Sequence, residues 1–112
     1  MRQLYAHDAL VKMNPRDDPD AIGAAVTVAL CGDWKHEPPC PLAPHHTRTE
    51  RSGDDVQVRT LFAAEPSLEG EVRERIDHAL RSGGTATWRV LTSAQGVVEE
   101  SERDHGERLI RS

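Results

Sequence analysis

Residues 47–62 read Thr47-Arg48-Thr49-Glu50-Arg51-Ser52-Gly53-Asp54-Asp55-Val56-Gln57-Val58-Arg59-Thr60-Leu61-Phe62. Thr47 to Arg51 alternates in character, Ser52 to Asp55 is made of turn residues, and Val56 to Phe62 alternates again. A period of two sends successive side chains to opposite faces of a strand. Two such runs around a short Gly- and Asp-containing stretch predict a β-hairpin, and hence an antiparallel sheet.

The flanking chain supplies the other elements. Ser67 follows Pro66 as an expected N-cap, with Glu69 and Glu71 in the favourable first turn. Leu68, Val72, Ile76, Ala79 and Leu80 fall on one stripe of an amphipathic helix, with Arg81 in its last turn and Gly83-Gly84 ending it. Thr85 to Leu91 reads as a strand with Ala86, Trp88 and Val90 on one face, and Gln95-Gly96 as a turn. On the N-terminal side, Leu4 to Met13 reads as the first strand. Asn14 to Asp20 is a break, in which Asp18 before Pro19 can cap a short helix. Ala21 to Leu30 ends in Val26-Thr27-Val28-Ala29-Leu30, whose β-branched residues favour a buried strand after a possible helical turn over Ala21 to Ala25. Glu99 to Ser112 is a charged segment, helical near Leu109-Ile110 or frayed, and Glu99-Glu100-Ser101-Glu102 reads as a solvated charge run.

The expected fold class is therefore α+β. A single domain over residues 1–112 carries an antiparallel sheet of four to five strands, one main amphipathic helix on one face, and a weak C-terminal helix. At 112 residues the chain is long enough for one modest core. Its net charge of −5, with 12 Arg and two Lys spread among 19 acidic residues, argues against general binding to a nucleic-acid backbone. No apolar run is long enough for a membrane span, and the charged N-terminus lacks the apolar stretch of a signal peptide. A cytoplasmic location follows as the expectation.

The chemistry concentrates in a proline-rich loop over residues 31–46, Cys31-Gly32-Asp33-Trp34-Lys35-His36-Glu37-Pro38-Pro39-Cys40-Pro41-Leu42-Ala43-Pro44-His45-His46. Its prolines forbid a helix and a central strand alike. Cys31, His36, Cys40 and His45 are spaced C-x4-H-x3-C-x4-H, with His46 as a spare. Two thiolates and two imidazoles make a tetrahedral zinc set, at about 2.0–2.3 Å from the ion. The prolines restrict the open chain and so lower the entropy lost on closing it round Zn²⁺. The spacing has neither paired C-x2-C knuckles nor a helix for the His of a zinc finger.

Other readings use the same residues. Cys31 and Cys40 could close a redox disulfide, with neighbouring His lowering a thiol pKa. Three engaged ligands would leave an open metal position for water activation, with Glu37 as the nearest general base. Both would make a small enzyme, by thiol chemistry or by metal-assisted hydrolysis. Trp34, with His46, offers an interaction surface, although Trp34 also continues the phase of Val28 and Leu30 and could plug the sheet end. Without chemistry, Cys31 is a small core residue and Cys40, His45 and His46 are loop residues. The leading expectation is a binding domain with a structural zinc clip, whose partner is another protein or a second copy. The adjacent pairs His7-Asp8 and Asp77-His78 are not dyads, because neighbours on a strand or helix diverge.

Overall fold

The computed structural model describes residues 2–31, 43–82 and 88–111. Strand β1 (Gln3–Met13) leads through a turn to helix α1 (Asp20–Cys31); β2 (His45–Ser52) and β3 (Asp55–Ala64) follow. A 3-10 turn at Pro66–Leu68 opens into α2 (Glu69–Ser82), then come β4 (Trp88–Gly96), a second 3-10 turn at Glu100–Glu102 and α3 (Arg103–Arg111). The strands form one antiparallel sheet in the order β2-β3-β1-β4. With helices after β1 and β3, this is the split βαβ, or ferredoxin-like, topology with an added C-terminal helix.

The predicted hairpin forms as β2 and β3, Ser52 pairing with Asp55 across a two-residue loop. Gly53 takes φ 65° there, a value that favours glycine. One face of the sheet presents Val11, Met13, Val56, Val58 and Phe62 to Val72, Ile76 and Leu80 of α2 and to Ile22, Val26 and Leu30 of α1. The α2 stripe is thus the one expected. Its start differs, because Pro66 to Leu68 already turns as a 3-10 helix and Ser67 lies within that turn.

Three expectations are corrected. Residues 21–30 are helical: Ile22, Val26 and Leu30 recur every four residues on the buried side. The Asp18 carboxylate accepts from the Asp20 amide at 2.9 Å, so the break before α1 does act as a helix start. Small apolar residues surround this helix almost completely, which hides its period and lets Val26-Thr27-Val28 read as a strand. Secondly, β4 continues through Gln95 and Gly96, where a turn was expected, with a bulge at Leu91 as its register shifts between Leu10 and Val11. Thirdly, two helices cover one face where one was expected. The four strands of the sheet among the described residues are within the expected four to five. Trp34, Ala86 and Gly83-Gly84 lie outside the described residues.

Helix α3 packs on the opposite face. Leu109 meets Ala6, Leu61 and Ala63, flanked by Leu4, Val98 and Ile110, in a second small core. Gly106 permits this approach: a Cβ there would fall inside the Leu4 side chain, 3.0 Å from its Cγ. Gly106→Ala is therefore expected to cost about 1–2 kcal/mol net, overpacking outweighing the gain in helix propensity. Urea unfolding of Gly106→Ala, Leu4→Ala and the double variant checks this, since removing the Leu4 side chain should recover part of the Gly106→Ala loss.

Candidate functional site

The register sorts the open face into rows that cross the strands. His46, Leu61, Ala6 and Gly96 form one row, at the edge of the α3 patch. Arg48, Arg59, Asp8 and Ala94 form the next, then Glu50, Gln57, Leu10 and Thr92. These last two rows line a groove of about 440 Å³.

Arg59 is the centre of this face. Its Nη1 donates to the two Asp8 carboxylate oxygens at 2.8 and 3.0 Å. Its Nε and Nη2 donate to the two Glu102 oxygens at 2.9 and 2.7 Å, a bidentate fork, and Nη2 also donates to the Val97 carbonyl. The Arg59 and Glu102 side chains are 17% and 11% exposed, so little water competes for these bonds. The Arg59 hydrogen bonds hold the Glu102 carboxyl down to about 2. Glu102 also accepts from the Glu99 amide at 2.9 Å, closing a capping box. Glu102 is thus part of a cap and of an ion pair, which corrects its reading as solvated charge, while Glu99, Glu100 and Ser101 are exposed as expected. Gly96 leaves room for the pair, since a Cβ there would lie 2.8 Å from the Asp8 Cγ.

The residues of the predicted zinc set are distributed as follows. Cys31 is the last residue of α1 and His45 the first of β2; His36 and Cys40 lie outside the described residues. Among the described residues, no group of three or more His, Cys, Asp or Glu is placed to hold a metal. The His45 ring is held on both sides, Nδ1 against the Ala43 carbonyl at 3.1 Å and Nε2 against the Thr27 hydroxyl at 3.0 Å. Because a carbonyl only accepts, Nδ1 carries the proton and Nε2 the lone pair. Burial lowers the His45 pKa and so favours the neutral ring, against the opposing effect of the Ala43 bond. His46 points to the other face and stacks on His105 of α3, ring centroids 4.7 Å apart.

A polar chain missed by the sequence lies beneath α2. The Arg73 Nη1 donates to the Ala6 carbonyl at 2.7 Å and to His7 Nδ1 at 3.2 Å. The remaining ring nitrogen, His7 Nε2, sits 2.8 Å from the Ser93 hydroxyl, and Ser93 in turn bonds Asp77. His7 of one adjacent pair and Asp77 of the other meet through Ser93. Arginine can only donate, so His7 must accept at Nδ1 and donate from Nε2 to Ser93, whose proton then goes to Asp77. His7 therefore cannot act as base toward Ser93, and the chain pins α2 to β1 and β4. Burial would raise the Asp77 carboxyl, but hydrogen bonds from Arg81 and Ser93, with the charges of Arg81 and His7, hold it below its ordinary range. The only local signals for this chain were a His in an apolar strand and a Ser in a weak one.

Neither a known protein family nor any curated protein matches this chain.

Burial, reinforced by the Arg73 charge, lowers the His7 pKa below the ordinary 6.5. The unfolded chain then binds more protons than the folded one below pH 6.5, so stability must fall as pH drops through that value. Denaturant unfolding between pH 7 and 5 is expected to show this slope. His7→Gln should flatten it in part, leaving the shares due to His45 and His46, whose pKa values are also lowered.

Proposed function

We propose that this chain is a small binding domain in which a structural Zn²⁺, held by Cys31, His36, Cys40 and His45, closes the proline-rich segment between α1 and β2. The observation that carries the reading is the state of His45. Its Nδ1–H···O=C bond to Ala43 is the outer-sphere contact that usually fixes a ligating imidazole, and it leaves Nε2 as the atom to meet a metal. That nitrogen faces Thr27, one helical turn before Cys31, and His45 borders a cleft of about 320 Å³ between α1 and β2. Exchange of the Thr27 hydroxyl for zinc would need no reorientation of the ring. The proposed zinc is a clip, because four protein ligands leave no open position for water.

A partner of the proposed kind is another protein or a second copy of the chain, and the domain works in the cytoplasm. The edge of β4 has no strand paired to it among the described residues and carries Leu91, 42% exposed at the bulge.

Elemental analysis of protein purified without a metal-binding tag is expected to give about one zinc per chain. His36→Ala and Cys40→Ser should each lose the zinc and several degrees of melting temperature. Wild-type protein free of zinc, with a melting temperature unmoved by chelator, would overturn the reading.

A further inference from the structure

On the open face, Arg48 and Glu50 carry charges that make no hydrogen bond or ion pair among the described residues. Arg48 stands directly across from Arg59, an arrangement of like charges that costs stability unless something compensates it. The carboxylates of Asp8 and Glu102 spend their side-chain hydrogen bonds on Arg59, although Glu102 also feels the Arg48 charge. Arg48 itself has no hydrogen bond or ion pair among the described residues, and neither has Glu50 two positions along the same strand. Both side chains leave the same face of β2, about 7 Å apart along the strand, and both line the groove.

The other lining residues suit a small organic molecule. Leu10 and Ala94 supply apolar floor, and Gln57 and Thr92 supply neutral hydrogen-bonding groups. A simple anion would meet Arg48 but be repelled by Glu50, and a simple cation would meet the reverse. A molecule bearing both charges side by side satisfies the two residues at once.

We propose that the groove across rows Arg48–Ala94 and Glu50–Thr92 binds an α-amino acid with an aliphatic side chain. Its carboxylate pairs with the Arg48 guanidinium, its ammonium with the Glu50 carboxylate, and its side chain lies on Leu10 and Ala94. Arg48 gives the carboxylate a two-pronged donor, and Gln57, opposite Glu50, is placed to take a remaining proton of the ammonium. Arg59 does not bind the ligand; it takes the hydrogen bonds of Asp8 and Glu102, so that Arg48 meets Glu102 only through space and keeps its own donors for the ligand.

The test is titration of the purified protein with L-leucine, 4-methylpentanoate, which lacks the ammonium, and 3-methylbutylamine, which lacks the carboxylate. Backbone amide shifts of Leu10, Gln57 and Thr92 are the readout. Saturable shifts with leucine are expected, with both analogues at least about tenfold weaker. Arg48→Gln and Glu50→Gln, both at exposed positions, should each weaken leucine binding at least about tenfold while leaving the fold intact. Absence of saturable shifts up to about 10 mM leucine would overturn the proposal. So would leucine binding unaffected by both substitutions, or equal affinity for leucine and 4-methylpentanoate. The groove is on the opposite face of the sheet from His45, so this result is separable from the zinc content of the same sample.

Discussion

The Arg59 guanidinium is the tie on which the arrangement of the open face depends. It gathers β1 through Asp8, the turn before α3 through Glu102, and the connection after β4 through the Val97 carbonyl. Without it the short, mostly polar α3 would rest on the small core around Leu109 and Gly106 and on the contact of His105 with His46. A bidentate pair shielded from water gains from the low local dielectric, and a single Arg meets two carboxylates where a Lys could not fork. Two consequences follow from this one residue. The apolar half of the face, Leu4, Ala6, Leu61 and Ala63, is covered, and the polar half stays open as a groove.

The other face is organised by a different interaction, the directed chain from Arg73 through His7 and Ser93 to Asp77. Both ring nitrogens of the buried His7 are partnered in it, so this imidazole is accommodated without an orphan. Arg73 also lies over the Tyr5 and Phe62 rings, 5.8 and 5.3 Å from their centroids, and pairs with Glu69 at 2.8 Å. The helix layer is therefore located by polar geometry as well as by the apolar stripe of α2.

Much of this architecture is legible locally. Alternation around Ser52 to Asp55 specifies β2 and β3, and the spacing of Val72, Ile76 and Leu80 specifies α2, because each pattern is complete within one element. Helix α1 is not legible in that way: with Ala and Val on nearly every side its period is muted, and β-branched propensity points to a strand that tertiary packing overrides. The two polar constellations are invisible to a linear reading. Asp8, Arg59 and Glu102 are separated by 51 and 43 positions, and His7 and Ser93 by 86, so no spacing rule joins them. Glu102 is the instructive case: in sequence it belongs to a run of acids that reads as solvated surface, and in the fold it is the better shielded half of an ion pair. Cys31 and His45 are the part of the Cys and His pattern that the fold locates, at the two ends of the segment.

The most direct measurement of the account is amide hydrogen exchange in the wild type and in Arg59→Met. If Arg59 ties α3 to the sheet, the amides of Leu109 and Ile110 lose at least about tenfold in protection in the variant. Those at the centre of β1 and β3 should then keep theirs. Unchanged protection across α3 would contradict the account, leaving the small core around Leu109 as sufficient to hold the helix.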